Sequence, residues 1–526
     1  MRNELSDTES VKTCLDNNNK IMKIQKLVLA LTILLTLTFF YSNSQTDSIV
    51  TKSLKGFDNR LEKIMADWKA VGCAVGIVKN GKIIYAKGFG YRDLHKKLPV
   101  TTKTLFPIAS NTKLFTATSI GLLVNDKKLE WDKAIKKIVY EIEFNSDILN
   151  ENVTIRDMLS HRTGIASPDF LWFGYDYSQK EIFKKLKLIK SETSFRESMI
   201  YNNFMYIAAG EIIELITKKS YEDFVREKIF LPLNMSNSIF SIDEMIKTSD
   251  FSKAYHSDFI NNKIDSDDYF NGNSLKACGG IISNIDDLNN WLICQINKGA
   301  FNKNEIIPLS IFEETMKPNV IDFGVYPNNL DDKNRFYSLY ALGRSITTYK
   351  GHAMTYHDGA ITGFTSRIVT FPNDSLGIII LTNSTGQNIS NFLAYEIADR
   401  ILNLEQTKWH ENNFYGSKKY REKRKIEEKN LKSNKTLNTS PSHKLIDYTG
   451  EYENELYGKI TIKILNNKLN LILGKYNLKL DHFHYDLFDT HDQVVSKPNF
   501  IADNDGKITV VVIDLNGQPT TFIKSK

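Results

Sequence analysis

Residues 73–79 and 82–90 are apolar runs joined by Asn80-Gly81. That dipeptide is the strongest short-range mark of a β-hairpin, because a tight two-residue turn needs the positive φ that Asn and Gly tolerate. Far downstream, 365–371 and 377–383 flank Pro372-Asn373-Asp374 and read as a second strand pair. The long stretch between the two pairs is mainly helical and loop-like. Just ahead of the first pair, Leu54, Phe57, Leu61, Ile64, Met65 and Trp68 keep helical spacing. Strands at both ends of a helical stretch share a core only if the ends meet. The pattern therefore predicts an α+β fold with an antiparallel sheet built from both termini of the domain.

A chain of 526 residues exceeds what one hydrophobic core usually holds. The pattern changes near residue 405. Residues 411–443 are polar and charged without a sustained apolar face, which predicts a linker, helical in part. From Tyr448 the period becomes two. Residues 459–465 and 468–473 flank Asn466-Asn467, 476–483 follows, and 507–513 comes after Asn504-Asp505-Gly506. Short strands at such close spacing predict a small β-barrel or sandwich. Lys and Arg number 68 against 62 Asp and Glu, a net of +6. Residues 418–435 hold nine basic and three acidic residues, so this one segment carries the whole excess. The near-neutral remainder argues against a nucleic-acid-binding surface. With 41% hydrophobic and 25% charged residues, the composition excludes a mainly disordered, collagenous or polytopic membrane chain.

The N-terminal part reads as an address. Lys23 and Lys26 precede the apolar run 27–41, and Ser42-Asn43-Ser44-Gln45 follows. This is the order of a secretory signal peptide, with cleavage expected near Ser44 and Met22 as an alternative start. The run is shorter than the ~20 residues that span a bilayer, so a membrane anchor through 27–41 is the second reading. The expected location is the periplasm or the cell exterior. Of the four cysteines, Cys14 precedes the expected cleavage point, and Cys73 and Cys294 sit in apolar runs and read as core packing. With Cys278 they show no Cys-x-x-Cys spacing, and no His-Glu-x-x-His motif occurs. No metal and no cofactor is expected.

Ser110-Asn111-Thr112-Lys113 places a hydroxyl and an amine at i and i+3, on one face of a helical turn. A desolvated, neutral Lys amine there can take the Ser proton, and N–H groups at the helix start can face an oxyanion. The spacing alone is common by chance, and its weight comes from context. Phe106-Pro107-Ile108-Ala109 leads into Ser110. Tyr201-Asn202-Asn203 stands immediately before an apolar helical pattern over 204–216, and His357-Asp358-Gly359 stands just before the last strand pair. Two further blocks are Thr154-Ile155-Arg156-Asp157-Met158-Leu159-Ser160-His161-Arg162-Thr163-Gly164-Ile165 and Cys278-Gly279-Gly280-Ile281-Ile282-Ser283.

With S-x-x-K, Y-x-N and H-x-G in this order, the chain resembles the β-lactamase-related serine hydrolases from about residue 54 to about residue 403. That family comprises class C β-lactamases, penicillin-binding D,D-peptidases, D-aminopeptidases and related esterases. The resemblance implies an antiparallel sheet flanked by helices, with a helical second lobe. It implies Ser110 as the acylated nucleophile and Lys113 as the base beside it. Tyr201 matches the tyrosine that shuttles protons and helps activate the deacylating water, and Asn203 the residue that hydrogen-bonds the substrate amide and the lysine. Gly359 lets the substrate backbone lie along the strand edge, and the N–H groups of Ser110 and Ala360 form the oxyanion hole. His357 stands where the family often carries Lys and is placed in the site, whereas His161 is read as structural. The segment Tyr448-Thr449-Gly450-Glu451-Tyr452, with Leu456-Tyr457-Gly458-Lys459, resembles the lipocalin-like domain that often follows such hydrolases. The expected organisation is an extension and signal peptide over 1–44, a catalytic domain over 45–410, a charged linker over 411–443 and a lipocalin-like barrel over 444–526.

Asp358 stands where β-lactam-active relatives often carry Thr or Ser. A carboxylate there would repel a substrate carboxylate, and His357 would offset this only when protonated. The expected function is an exported hydrolase forming an acyl-serine intermediate on a small amide, D-amino-acid peptide or ester. A β-lactamase or D,D-carboxypeptidase is the first alternative and a non-catalytic binder of cell-wall fragments the second. The expected partner is a small-molecule or short-peptide substrate, with no nucleic acid and a membrane only through an uncleaved leader. The sequence leaves the oligomeric state open.

Overall fold

The computed structural model describes residue 26 and residues 52–525, except 271, 273, 323–337, 388 and 434. The expected signal segment and Cys14 lie outside the described residues, apart from Lys26. No described helix is long and apolar enough to cross a membrane. The main helices are α1 (Phe57–Trp68), α2 (Thr112–Asn125), α3 (Asn203–Thr217), α4 (Ile285–Ile296), α5 (Ile389–Ile401) and α6 (Trp409–Ser433).

Nine antiparallel strands form the main sheet. They are β1 (Gly72–Lys79), β2 (Lys82–Asp93), β3 (Leu98–Pro99), β4 (Val320–Ile321), β5 (Leu339–Tyr340), β6 (Ser345–Tyr349), β7 (His352–Ile361), β8 (Phe364–Phe371) and β9 (Leu376–Thr382). Their spatial order is β4-β5-β6-β7-β8-β9-β1-β2-β3. β1 lies between β2 and β9, with Cys73 opposite Thr382 and Lys79 opposite Leu376. The early hairpin and the last strand pair thus meet in mid-sheet, as the pattern predicts. Asn80 and Gly81 take φ of 52° and 70° at the turn.

β1 is buried on both faces, so its sequence shows no alternation. Cys73, Val75 and Ile77 join Leu61, Ile64 and Trp68 of α1 and Phe392 and Ile397 of α5 in one core. Ala74 and Val78 turn to the other face and join Ile285, Leu288 and Leu292 of α4 in a larger core that continues into the helical lobe. α2 runs through that lobe, with Phe115, Ala117, Ile120, Leu123 and several hydroxyl side chains all buried. A helix covered on every side belongs to the interior, and it carries one lysine there, Lys113.

The C-terminal strands β10 (Gly450–Asn454), β11 (Gly458–Leu465), β12 (Lys468–Leu473), β13 (Tyr476–His484), β14 (Leu487–Asp489), β15 (Val495–Ala502), β16 (Ile508–Leu515) and β17 (Gln518–Lys524) close into a barrel. Tyr452, Leu471, Val511, Ile513 and Phe522 are fully buried and fill its interior, as suits a barrel of this size. The period-two pattern finds β11, β12, β13 and β16. It misses β15, where Pro498 argues against a strand and the ladder bulges between Ser496 and Asn499.

α6 starts at Trp409, at the end of the expected catalytic domain, and runs on through most of the segment expected to be a polar linker (411–443); its first turns are docked on the domain of the main sheet. Trp409 Nε1 donates to Asp399 Oδ2 at 3.1 Å and to Tyr349 Oη at 3.2 Å. Trp68 Nε1 donates to His410 Nδ1 at 3.2 Å, Arg60 grips Glu411 through two hydrogen bonds of 3.0 and 3.1 Å, and Phe414 packs on Trp68 and Phe259. These contacts fall on residues 409–414, too short a face to register as helical periodicity. The barrel makes its own contact through the turn after β12. Lys475 N–H donates to Gly174 O at 2.9 Å, Tyr476 lies 5.5 Å from the Phe170 ring, and a Cβ on Gly474 would come within 2.2 Å of Gly174 O.

Trp409→Ala is expected to lower the unfolding free energy by about 3–5 kcal/mol. Ile426→Ala, further along α6 where the side chain is exposed, is expected to change it by less than about 0.5 kcal/mol. Guanidinium denaturation measures both, and equal losses would contradict a docked start and a solvated end.

Candidate active site

Ser110 sits in a one-turn 3₁₀ segment, Ala109–Asn111, that runs directly into α2. Ala109 takes φ 46°, a left-handed conformation that costs a non-glycine residue on the order of 1 kcal/mol. Its neighbours hold it there. Ile108 N–H donates to Ile281 O at 2.9 Å, Ser366 Oγ donates to Ile108 O at 2.7 Å, and Asn111 Nδ2 donates to Ser366 Oγ at 2.8 Å. The glycine-rich block around Cys278 and strand β8 thus grip the nucleophile's turn from two sides.

β7 runs past the same turn. β6 stops opposite Tyr356, whereas β7 continues to Ile361 with only β8 beside it. Residues 357–361 therefore present an open strand edge. Ile361 faces Phe364 across the hairpin turn, so the alternation of the ladder sends the Ala360 N–H outward to that edge. Gly359 has a further reason to be glycine: a Cβ there would lie 2.2 Å from Ile108 O and 2.4 Å from Ser366 Oγ. The missing side chain makes room for the protein's own turn, a packing demand beyond the expected approach of a substrate.

Lys113 is fully buried. Its Nζ lies 3.1 Å from Ser110 Oγ, 2.8 Å from Asn203 Oδ1 and 2.9 Å from Cys278 O. The last two atoms can only accept. Lys113 therefore donates to both of them, and its Nζ is held within hydrogen-bond distance of the Ser110 hydroxyl. Asn203 is held in that orientation because its Nδ2 donates to Asp169 Oδ1 at 3.2 Å. Burial pushes the Cys278 thiol up to about 12, so the backbone carbonyl of this residue, not its sulfur, is what the site uses.

Tyr201 and Asn203 flank the N-cap of α3. Asn202 Oδ1 accepts the N–H groups of Phe204 and Met205, and its Nδ2 donates to the carbonyls of Ile165 and Ala166. The Asn202 N–H donates to His161 Nδ1 at 3.0 Å. His161, at φ 61°, is fully buried, and its ring lies 4.5 Å from that of Tyr201, so it is a structural support beneath the tyrosine. The block containing it is a turn secured by a Thr154–Asp157 capping box and by Arg162 and Arg196 on the buried Asp157. Tyr201 is exposed at the mouth, and Lys113 Nζ lies 4.9 Å from its ring centroid.

His357 and Asp358 depart from expectation. His357 is buried; its Nδ1–H donates to Asp358 O at 2.6 Å, and its Nε2 accepts from Tyr340 Oη at 3.0 Å. Burial, and then the Lys113 amine, push the imidazole down to about 3, so it is a neutral residue packed beside Tyr201 and offers no cation. Asp358 points to the other face of β7, where its carboxylate accepts from Arg367 Nη1 at 2.8 and 3.0 Å. The expected repulsion of a substrate carboxylate is corrected by that pairing: a buried guanidinium already balances the acid. The motif pattern also missed Asp169, Tyr340, and Tyr206, whose ring lies 5.4 Å from Lys113 Nζ. Tyr206 had a signal, since it stands three residues after Asn203 on the same helix face.

Residues 57–400 match the family model described as Beta-lactamase, and residues 434–524 match one described as a domain of unknown function. An unguisins hydrolase of Aspergillus campestris is 27% identical over 427 residues, 77% of this chain and 77% of that protein. The octameric penicillin-binding protein homologue from Pyrococcus abyssi superposes on 90% of this chain and 100% of its own, with a TM-score of 0.59 and 22% identity. A D-amino acid amidase from Ochrobactrum anthropi covers 68% of this chain and 98% of its own, with a TM-score of 0.53 and 22% identity. At those identities the two solved structures speak for the fold.

The buried histidines make stability depend on pH. Burial holds His161 well below its ordinary range, and His357 is down to about 3. An unfolded histidine takes up its proton near pH ~6.5. Below that, the unfolded chain binds more protons than the folded one, so stability is full above about 6.5 and falls as the pH drops toward 3. The loss is about 1.4 kcal/mol per pH unit for each histidine. His357→Gln should reduce the slope of stability against pH between about 6 and 5 by one proton's worth. Urea midpoints across that range measure it, and an unchanged slope would overturn the assignment of a neutral buried ring.

Proposed function

The chain belongs to the beta-lactamase family of serine hydrolases, and from that premise we propose that it is an exported enzyme that acylates Ser110 with small neutral amides, D-amino-acid peptides or esters. The observation that carries this reading is the fully buried Lys113 amine, held by Asn203 Oδ1 and Cys278 O with its Nζ 3.1 Å from Ser110 Oγ. Ser110 Oγ attacks the substrate carbonyl as its proton passes to Lys113. The carbonyl oxygen gathers charge against the N–H groups of Ser110 and Ala360. Collapse breaks the C–N or C–O bond, and the leaving group departs with a proton delivered through Tyr201. Water then attacks the acyl carbon, loses a proton to the same Tyr201–Lys113 pair, and releases the acid with Ser110 restored.

The preference for neutral carbonyl substrates rests on the open edge of β7. His357 is neutral there, and the charge of Arg367 is engaged by Asp358. A terminal carboxylate laid along this edge would meet no spare cation among 357–361, which places β-lactamase and D,D-carboxypeptidase activity second. The relative named as an unguisins hydrolase supports a hydrolytic reaction. Export rests on the apolar run 27–41 behind Lys23 and Lys26.

A substrate panel tests the reading: a short-chain nitrophenyl ester, a D-aminoacyl amide, a D-Ala-D-Ala peptide and a chromogenic cephalosporin. Turnover of the first two should exceed that of the last two and should vanish in Ser110→Ala. Lys113→Ala should slow acylation by a factor on the order of 10²–10⁴. Asp169→Ala, which frees the Asn203 amide to rotate, should slow it by less. Equal rates for wild type and Ser110→Ala on every substrate would sink the proposal.

A further inference from the structure

Two buried arginines stand on either side of the strand that carries His357, and they are balanced differently. Arg367 has Asp358: burial opposes its charge most strongly, but the carboxylate, Tyr395 and Tyr356 together raise its pKa. Arg344 is 3% exposed and faces no carboxylate among the described residues. Its Nη2 donates to Gln295 Oε1 at 2.6 Å and Thr315 Oγ1 at 3.3 Å, and its Nη1 reaches only Met316 Sδ at 3.3 Å. Its Nε–H has no acceptor. Burial alone pushes the guanidinium down to about 9, and no neighbouring charge pulls it back. A guanidinium cannot shed its proton near neutrality, and a buried cation without a counter-charge is strongly unfavourable.

Arg344 lines a cavity of about 20 Å³, together with Gln295 of α4, Thr355 and His357 of β7, Thr370 of β8 and Asn111 beside the nucleophile. Leu114, Trp291 and Ile368 also line it, and the lining holds no carboxylate. Gln295 gives its amide oxygen to Arg344, which leaves its NH₂ to donate elsewhere. Thr355 and Thr370 share one hydrogen bond of 2.7 Å, so one of their two hydroxyl protons remains to be donated. A volume above about 10–15 Å³ holds one water-sized species. Phosphate, sulfate and carboxylates are too large.

We propose that this cavity binds one halide-sized monovalent anion, which supplies the counter-charge that Arg344 lacks. The anion ties α4 to β7 and β8 directly behind the open strand edge. It binds the folded chain only, so it stabilises the fold by mass action.

The test uses the full chain, dialysed into sodium gluconate and titrated with chloride or bromide at constant ionic strength. The expected result is a rise in Tm that saturates at millimolar halide, together with an anomalous bromide peak within hydrogen-bond distance of Arg344 in crystals grown from bromide. Gln295→Glu sets a carboxylate beside Arg344, so its Tm should no longer respond to halide. A Tm in wild type that does not distinguish chloride from gluconate, or a cavity holding water with no anomalous signal, would overturn the proposal. The readouts are stability and diffraction, so the outcome is independent of whether Ser110 is acylated.

Discussion

A primary amine sealed from solvent is the constraint around which the hydrolase domain is assembled. Buried polar groups must find partners, and the partners of Lys113 come from three distant parts of the chain: its own turn at Ser110, the start of α3 at Asn203 and the carbonyl of Cys278. Each partner is fixed in turn. Asn202 caps α3 and so sets where Asn203 emerges, and Asp169 decides which end of the Asn203 amide faces the lysine. Ser366 and Ile281 hold the backbone ahead of Ser110. The tertiary structure is in this sense a device for surrounding one buried amine with three polar partners.

What could be read from the sequence followed the range of the interactions involved. Ser110 and Lys113 are three residues apart on one turn, so local spacing exposed them. Asn80-Gly81 marked a hairpin because its φ angles are a property of the residues themselves. The position of β1 in mid-sheet followed from strands lying at both ends of a helical stretch. Tyr340, Asp169 and Arg344 were illegible, since each acquires its role from a side chain far away in sequence. The orientation of Asp358 lay between these cases. Side chains alternate along a strand, so a histidine and a glycine aimed at the nucleophile imply an aspartate aimed away. That parity was present in the sequence, but only the resemblance placed Gly359 on a strand edge, and the expected strand does not extend to the neighbouring residues. The docked start of α6 was hidden because its aromatic anchors, Trp409 and Phe414, are few, and the later contacts are made by the charged Arg421 and Lys425.

The electrostatics around the nucleophile are sparse. The two nearest histidines are neutral by burial, and the Arg367 charge is engaged by Asp358 on the opposite face of β7. The proton inventory beside Ser110 thus reduces to one amine and one phenol. Such a site depends on geometry, and the strained φ of Ala109 shows how firmly the surrounding backbone enforces it.

The contact between Gly174 and Gly474 is a meeting of two main chains. No side chain intervenes at that point, and the side-chain contacts of the joint lie beside it, with Tyr457 and Tyr476 on Phe170 and Lys185 Nζ donating to Leu456 O. The outer faces of the barrel are therefore at liberty to diverge, change charge or take on new surfaces while the seam with the hydrolase stays the same. A bulkier residue at Gly474, where a Cβ would lie 2.2 Å from Gly174 O, would prise the two bodies apart. Modularity in this chain is one-sided: the barrel's outer surface is free to change, but its attachment includes one position with no room for a side chain.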